Sequence, residues 1–498
     1  MSTSRLHFMG IGGQGISSVA QMSHKRGAIV TGCDQRESAT VRALREAGIP
    51  VQIGHHADHL DNVDRLVISP AVPALDPHNP ELLAARERGV PVVNWQELLS
   101  ELMEGKCLLS VCGVHGKGTT TAMLSLALVD AGLDPTCEIG AVVPRFGANY
   151  RLGQSDYFIN EADEFNHNFW HYHPRLAIVT SIEFEHPEFF ANYDAFLHAF
   201  EHFIRGMDTT GTWSLPPTVI MNADSPGCWE LRERLHDWPG QILTYSVGHS
   251  ARPEVAADLE AWDIKLEGET SFRVKTRVGT TFPEDLVVHL PLPGLYNIEN
   301  AMAALSAAHL LGVEASTIAQ SLGSFAGNRR RFEIRQQGPL TVGEHVVDVM
   351  LVDDYAHHPT AITATLEAAR QRYPGQRIVA IYQPHMYSRT KTFFNQFLSA
   401  FDVADLVIIS DIFPARERDT GIIHARELVA GIEQRAAFAS GERHVLYGGN
   451  TNETARLLAQ TLRSGDLAII MGAGDIYTVT ETLLHTPTTL NHTHTTQV

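Results

Sequence analysis

Positive charge is in short supply in this 498-residue chain: 38 Lys and Arg stand against 57 Asp and Glu, a formal charge of −19. Such a surface repels polyanions. It argues against nucleic acid and anionic membranes as partners, while leaving room for a local basic site that takes a small phosphate. Cysteine is scarce too. Cys33, Cys107, Cys112, Cys137 and Cys228 are odd in number and lack CxxC spacing, which gives no zinc signature and suits a reducing cytoplasm. No apolar run is long enough to cross a bilayer, and the opening Met1-Ser2-Thr3-Ser4-Arg5 has no signal-peptide pattern. The expectation is a cytoplasmic protein with no membrane insertion. A Thr-rich tail over 486–498, with His492 and His494, reads as disordered.

What the chain does have is a repeated strand–loop–helix pattern. With 44% hydrophobic and 19% charged residues it is globular, and its length implies two to four domains. The pattern restarts near Glu104-Gly105-Lys106 and again after about residue 325. The expected fold is α/β in three domains: Rossmann-like over 1–106, a P-loop ATPase-type α/β domain over 107–325, and a second Rossmann-like α/β domain over 326–485.

The most informative stretch is 111–122. The apolar run Cys107–Cys112 leads into Gly113, Gly116 and Gly118, with Lys117 among them, and then Thr119, Thr120, Thr121 and a helix-compatible run. This is the layout of a nucleotide phosphate cradle. Backbone N–H groups and a helix N-terminus face the anion, Lys neutralises phosphate oxygens, and a Thr hydroxyl can ligate Mg²⁺. The spacing departs from the strict form, because Gly118 follows Lys117 where Ser or Thr is expected.

Earlier in the chain, Leu6–Met9 runs into Gly10-Ile11-Gly12-Gly13-Gln14-Gly15, and a second strand ends on Asp34. The glycines permit a tight turn, close approach of a phosphate and helix–strand packing, and Asp34 could accept from a ribose hydroxyl. Any diphosphate-bearing nucleotide could use such a corner, so it does not single out NAD. Ser69 ends the strand beginning at Arg65, where a sugar or phosphate donor and a structural turn serine are equally compatible.

Two apolar strands after the cradle end in hard ligands, Glu161-Ala162-Asp163-Glu164 and Glu183-Phe184-Glu185-His186. Each alone could be solvated loop acids. Together, at strand ends of one α/β unit, they make Glu161 and His186 candidates for holding Mg²⁺. His167, His171 and His173 lack ligand spacing and read as packing or substrate-surface residues. Asn297 and Asn300 lie three apart on an Ala-rich helix and can read a base edge. Beyond them, Arg329-Arg330-Arg331 is either a solvated run or a source of phosphoryl-transfer charge. Strands at Val349–Val352, Ile378–Tyr382, Leu406–Ile409 and Leu467–Met471 then predict another parallel sheet.

These residues, in this order, resemble the Mur ligases, ATP-dependent amide-forming enzymes of bacterial peptidoglycan synthesis. The resemblance runs from Gly10 to about Gly474, with Val-His-Gly-Lys, Glu-Ala-Asp-Glu, Arg-Arg-Phe-Glu, Asp-Asp-Tyr-Ala-His-His-Pro and Gln-Pro-His-x-Tyr-Ser-Arg-Thr among its motifs. The branch most similar joins L-alanine to UDP-N-acetylmuramate through an acyl phosphate. The resemblance implies that Gly10, Gly12, Gly13, Gly15, Asp34 and Ser69 bind the UDP moiety. It implies that Gly113, His115, Gly116, Lys117, Gly118, Thr119 and Thr120 cradle ATP phosphates, with Asn297 and Asn300 at adenine. Thr119, Glu161 and His186 would hold Mg²⁺. Arg331 and Asp354 would serve ATP from the third domain, which is expected to close on the second. Tyr355, His385 and Arg389 would face the amino acid, and His385 could take the amine's proton or anchor the acceptor. Lys117, Arg331 and His385 are thus the expected catalytic residues, ATP and Mg²⁺ the cofactors, and a monomer or homodimer the expected state.

Three departures bear on the acceptor and the metal. Gly118 stands where that branch has Thr, which moves the metal hydroxyl to Thr119. Met386 replaces an Arg, and Phe184 gives Glu-Phe-Glu-His, similar to the recycling ligase that attaches a tripeptide to UDP-N-acetylmuramate. A tripeptide or another amino acid is therefore the alternative acceptor, and a non-catalytic nucleotide-sugar-binding relative is a third reading. No Lys lies between Lys117 and Lys265. The carbamoylated Lys of other family branches has no candidate there, as the resemblance to the alanine-adding branch implies.

Overall fold

The computed structural model describes residues 4–69, 72–73, 76–277, 282–343, 345–415, 417–438 and 441–485. The tail expected to be disordered lies outside the described residues, as do Pro70, Ala71 and Arg416. The chain forms two compact units that meet in sequence between Asn328 and Arg329.

The first unit holds two sheets. In the N-terminal sheet, β1 (Arg5–Met9), β2 (Ile29–Asp34), β3 (Val51–Ile53), β4 (Arg65–Ile68) and β5 (Val92–Asn94) run in the order 3-2-1-4-5, every neighbouring pair parallel. The order reverses between β1 and β4, so their C-terminal ends open the crevice that such sheets use for ligands. Gly10 follows β1 there, and Ser69 follows β4.

The larger sheet comprises β6 (Cys107–Cys112), β7 (Thr136–Val143), β8 (Ala148–Arg151), β9 (Tyr157–Glu161), β10 (Leu176–Val179), β11 (Thr218–Asn222), β12 (Gln241–Ser246), β13 (Leu259–Lys265), β14 (Thr270–Thr276) and β15 (Val288–Leu290). Its order is 15-14-13-12-11-10-6-9-7-8, with antiparallel pairing confined to β13–β14, β14–β15 and β7–β8. Every residue of β6, β10 and β11 is buried, as a strand covered on both faces requires. The helix Leu295–Leu310 packs on the helix Lys117–Asp130, and its buried Ala301, Ala303, Ala304, Ala307 and Ala308 allow a close approach. Because β6 sits between β9 and β10 and is parallel to both, the phosphate loop and both acidic strand ends come out side by side.

The second unit has β16 (Glu333–Val342), β17 (His345–Asp354), β18 (Arg377–Tyr382), β19 (Leu406–Ser410), β20 (His444–Gly449) and β21 (Asp466–Met471), in the order 16-17-21-18-19-20. The expectation of a wholly parallel sheet needs correction: β16 is antiparallel to β17, which itself begins earlier than expected. β16 is a half-solvated edge strand with a bulge near Ile334, so it has neither an apolar run nor clean alternation to announce it. No helix among the described residues is long and apolar enough to cross a membrane.

Candidate active site

The loop after β6 is bolted to the strand end beside it. Val114 N–H donates to the Ser181 carbonyl at 2.9 Å, His115 N–H to Ser181 Oγ at 3.2 Å, and Thr180 Oγ1 to the His115 carbonyl at 2.5 Å. Gly116 turns the chain into the helix with φ +85°, and a β-carbon there would stand 2.1 Å from Asn300 Oδ1. Any side chain at 116 would therefore be strained twice over, in backbone and in contact. Asn300 also accepts from Thr120 Oγ1 at 3.3 Å and donates to Asn297 Oδ1 at 3.4 Å, while Asn297 donates to the Pro293 carbonyl at 2.7 Å. The two amides do share a face, and that face backs the phosphate loop.

Lys117 opens the helix. Its Nζ donates to the Gly113 carbonyl at 2.6 Å and to both oxygens of the buried Glu164, at 2.8 and 3.1 Å. Burial alone would lower the ammonium's pKa; Glu164, aided by Asp163 and Glu161, overrides it and pushes it up to about 12. The residue stays charged at every physiological pH. His115 pairs with Glu183 across the loop.

The acids form two groups. Ligand atoms of Asp163, Glu164 and His186 lie within 4.8 Å of one another. His186, held at φ +56°, also meets Glu188 through Nδ1 at 3.1 Å. Glu161 falls outside that trio. Its carboxylate lies between Gly118 and Gly140, where β-carbons would stand 2.5 Å from Oε1 and 2.0 Å from Oε2. The structure thus brings Asp163 and Glu164 to His186 and sets Glu161 beside Gly118. Behind Glu161, Glu138 on β7 is buried and accepts from Ser18 of the N-terminal helix Gln14–Lys25 at 3.2 Å. Burial first, then the charge of Glu161, pushes its carboxyl up to about 8.

At the N-terminal corner, Gly10 takes φ +73° and Gly12 N–H donates to Asp34 Oδ2 at 2.9 Å. Asp34 therefore spends part of its acceptor capacity holding the corner, and Arg36 N–H takes its other oxygen at 3.2 Å. A β-carbon on Gly15 would meet the Trp95 ring at 2.5 Å, so this glycine serves helix–helix packing where helix–strand packing was expected. Gly13 N–H closes the turn onto the Gly10 carbonyl at 3.2 Å, and Ser69 accepts through its carbonyl from Val72 N–H at 3.0 Å.

In the second unit, Asp354 at the end of β17 is nearly buried, and burial raises its carboxyl. It accepts from Phe332 and Ala356 N–H groups, each at 2.7 Å, and so fixes the backbone on either side of Arg331 and Tyr355. The Arg331 guanidinium lies 4.8 Å over the Tyr355 ring, with Arg330 at 5.1 Å. Arg330 is tied down by the Gly472 and Gly474 carbonyls at 2.6 and 3.1 Å. His385 stacks on Phe413, and its Nδ1 lies 3.0 Å from Arg389 Nη1. Arginine can only donate, so Nδ1 accepts and the neutral imidazole carries its proton on Nε2. Met386 is wholly buried at φ +69°, and Phe184 packs edge-on to Phe196.

Three family models cover the chain: "Mur ligase family, catalytic domain" over residues 5–106, "Mur ligase middle domain" over 111–308, and "Mur ligase, glutamate ligase domain" over 330–474. A UDP-N-acetylmuramate–L-alanine ligase of Persephonella marina is 34% identical across 95% of this chain and 94% of its own. One of Brucella ovis is 37% identical over the same shares. The chain belongs to the Mur ligase family. Among solved structures, UDP-N-acetylmuramate-alanine ligase of Thermotoga maritima superposes with a TM-score of 0.77 at 25% identity, covering 96% of this chain and 98% of that one. A murein peptide ligase of Psychrobacter arcticus gives 0.70 at 25% identity, covering 97% and 98%.

Three site residues of this Mur ligase were not singled out by sequence. Asp163 and Glu164 were present in the Glu-Ala-Asp-Glu run, but nothing in the run says which carboxylate turns toward Lys117 or His186. Glu138 sits in an otherwise apolar strand, and a lone acid in such a run is the signal that could have marked it.

Proposed function

We propose that this Mur ligase joins the lactyl carboxylate of UDP-N-acetylmuramate to the amino group of L-alanine, using ATP, in the peptidoglycan synthesis of the bacterial cytoplasm. The observation that carries the reading is Lys117 set among Asp163, Glu164 and His186 at the mouth of a glycine loop. It stands in a chain that aligns nearly end to end with relatives named for that reaction.

In this reaction the carboxylate attacks the γ-phosphorus of ATP, giving an acyl phosphate and ADP. The amine then attacks the acyl carbon, losing a proton, and phosphate leaves. The amides of Gly116 to Thr119, at the N-terminus of helix Lys117–Asp130, receive the phosphates. A phosphate oxygen competes with Glu164 for the Lys117 ammonium, which is charged in either case. The surplus of carboxylates over cations here suits a hard dication: Glu161, Glu164, Asp163 and His186 would hold Mg²⁺, with Thr119 supplying a hydroxyl. When bound, Mg²⁺ supplies neutralisation of charge developing on phosphoryl oxygens. Asn297 and Asn300 serve the nucleotide base, and Arg331 and Asp354 serve ATP from the third domain. Tyr355, His385 and Arg389 serve the acceptor, with the His385 Nε2–H as a donor that anchors it. The domain over 1–106 takes UDP through the Gly10–Gly15 corner, Asp34 and Ser69.

The departures that motivate a tripeptide acceptor are packing features: Met386 is enclosed, and Phe184 packs on Phe196. They weaken that alternative. The purified chain is incubated with UDP-N-acetylmuramate, Mg·ATP and one acceptor at a time, and products are weighed by mass spectrometry. A gain of one alanine residue is expected. A gain with tripeptide and none with L-alanine would overturn the acceptor assignment. Phosphate release that survives Lys117→Ala would overturn the ligase reading altogether.

A further inference from the structure

The N-terminal sheet carries a cluster of donors that the ligase reaction does not use. His7 lies in β1, Cys33 near the end of β2, His55 and His59 after β3, and Glu81 in the first turn of the helix Pro80–Arg88. Glu81 is wholly buried, and its carboxylate is the hub of the group. His59 Nδ1 lies 2.7 Å from Oε1, Cys33 Sγ 3.2 and 3.3 Å from the two oxygens, His7 Nε2 3.4 Å from Oε2, and His55 Nδ1 3.5 Å from Oε1. His7 is 1% exposed, and its Nε2 aims into this cluster, with Glu81 Oε2 the neighbour it meets and no well-aligned hydrogen bond formed. Its other ring nitrogen is occupied by Thr31 Oγ1 at 2.8 Å.

We propose that His7, Cys33, His59 and Glu81 bind a transition-metal dication of the Zn²⁺ class. Their donor atoms all lie within 4.8 Å of one another. A tetrahedron of bonds about 2.0–2.3 Å long has edges of about 3.3–3.8 Å, so the four donors close on an ion with small side-chain movements. One thiolate, two neutral imidazoles and one carboxylate form a mixed N/S/O set that suits Zn²⁺ or Co²⁺ and not Mg²⁺. The charges balance as well. The two anionic ligands neutralise a dication, whereas no Lys or Arg pairs with Glu81 among the described residues. Thr31 fixes the His7 ring so that Nε2 faces inward, the outer-shell arrangement usual for metal-bound histidine. Because the ligands are four in number, with His7, Cys33 and Glu81 buried and His59 half-buried, the site is of the closed, structural kind. Linear spacing conceals it, since the donors come from four separate elements.

The site also has a route to substrate binding. The Cys33 carbonyl accepts from Gly10 and Ile11 N–H at 2.9 and 3.1 Å, and the next residue, Asp34, holds Gly12. An ion on Cys33 Sγ would therefore stiffen the Gly10–Gly15 corner from below.

The test uses the untagged full-length chain, loaded with Zn²⁺, dialysed against metal-free buffer and assayed by elemental mass spectrometry, with Co²⁺ as the optical probe. One retained equivalent of Zn²⁺ is expected, together with a Co²⁺ complex showing a thiolate charge-transfer band and tetrahedral ligand-field bands. Cys33→Ser and His59→Asn should each weaken Zn²⁺ binding at least tenfold, and His186→Ala should leave it unchanged. Zinc retention equal in wild type and both cluster variants would overturn the proposal. So would a Co²⁺ spectrum without the thiolate band, a measurement on the wild-type chain that stands even if the variants fold poorly.

Discussion

The Glu161 carboxylate occupies the space that a side chain at position 118 would need: a β-carbon on Gly118 would lie 2.5 Å from Oε1. The irregular residue of the phosphate loop thereby acquires a function of space. Gly118→Ala adds a better helix former in the first turn, worth about 1 kcal/mol, but drives the carboxylate aside. Folding stability should stay within about 1 kcal/mol of wild type while the Mg²⁺ concentration for half-maximal phosphate release rises about tenfold, a shift of about 1.4 kcal/mol. A Mg²⁺ titration identical to wild type would show that the position of Glu161 is immaterial to the metal.

Lys117 and Glu164 make a second linked pair. The lysine is 17% exposed and its partner 1%, so Glu164→Gln leaves a largely enclosed ammonium without its hydrogen-bonded counter-ion, at a cost of about 2 kcal/mol. The variant should melt several degrees lower. ATP added with EDTA should then raise its melting temperature more than it raises that of wild type, because phosphate supplies the missing anion. Differential scanning fluorimetry reads both effects, and an equal ATP shift in the two proteins would sink the idea.

Much of this was legible in the sequence because strand ends and turns announce themselves. Cys107–Cys112 followed by glycines and Lys117 placed the phosphate loop, and two further apolar runs ending in acids placed its neighbours. What sequence lacked was direction. It could not say that Glu164 turns to Lys117 while Glu161 turns to Gly118, because the aim of each carboxylate in the Glu161–Glu164 run leaves composition and spacing alike. Nor could it reveal β16, whose residues are half in water and carry no period. The His7, Cys33, His59 and Glu81 group was invisible for a different reason: the pairing of β1 with β2 and the packing of two helical segments beside them, not sequence distance, bring those side chains together.

Glu138 should make stability depend on pH. Its carboxyl moves from 4.5 in the unfolded chain to about 8 in the fold, through burial and the charge of Glu161, with Asp163 adding to it. The folded state therefore holds a proton that the unfolded state releases between those values. The contribution is full below 4.5 and is lost as pH rises toward 8, with a slope of at most about 1.4 kcal/mol per unit. Glu138→Gln, which keeps an acceptor for Ser18, should exceed wild type in stability at pH 8.5 and lose that advantage toward pH 5. Urea unfolding in EDTA measures it. Parallel pH profiles for the two proteins would mean Glu138 is ionised in the fold.

His385 offers Nε2–H as a donor because Arg389 occupies Nδ1. His385→Ala should raise the KM for L-alanine tenfold or more, leave kcat within about threefold, and leave the pH profile of kcat unmoved, since anchoring is lost and no base is removed. Loss of the acidic limb of the kcat profile would instead identify His385 as the group that takes the amine's proton.

The three threonines after Gly118 are not equivalent. Thr121 Oγ1 donates to the Lys117 carbonyl at 2.9 Å, and Thr120 Oγ1 donates to Asn300 at 3.3 Å. Among the described residues no side-chain hydrogen bond engages Thr119, which leaves its hydroxyl as the one available to phosphate or metal. Thr119→Ala should raise the KM for Mg·ATP about tenfold, the loss of one charge-assisted contact of about 1.4 kcal/mol. Thr121→Ala should change it less than twofold, because its lost partner is a carbonyl already bonded within the helix. Steady-state kinetics on the two variants, at saturating UDP-N-acetylmuramate and L-alanine, decide the point. Equal effects would mean that Thr119 does not supply the metal hydroxyl.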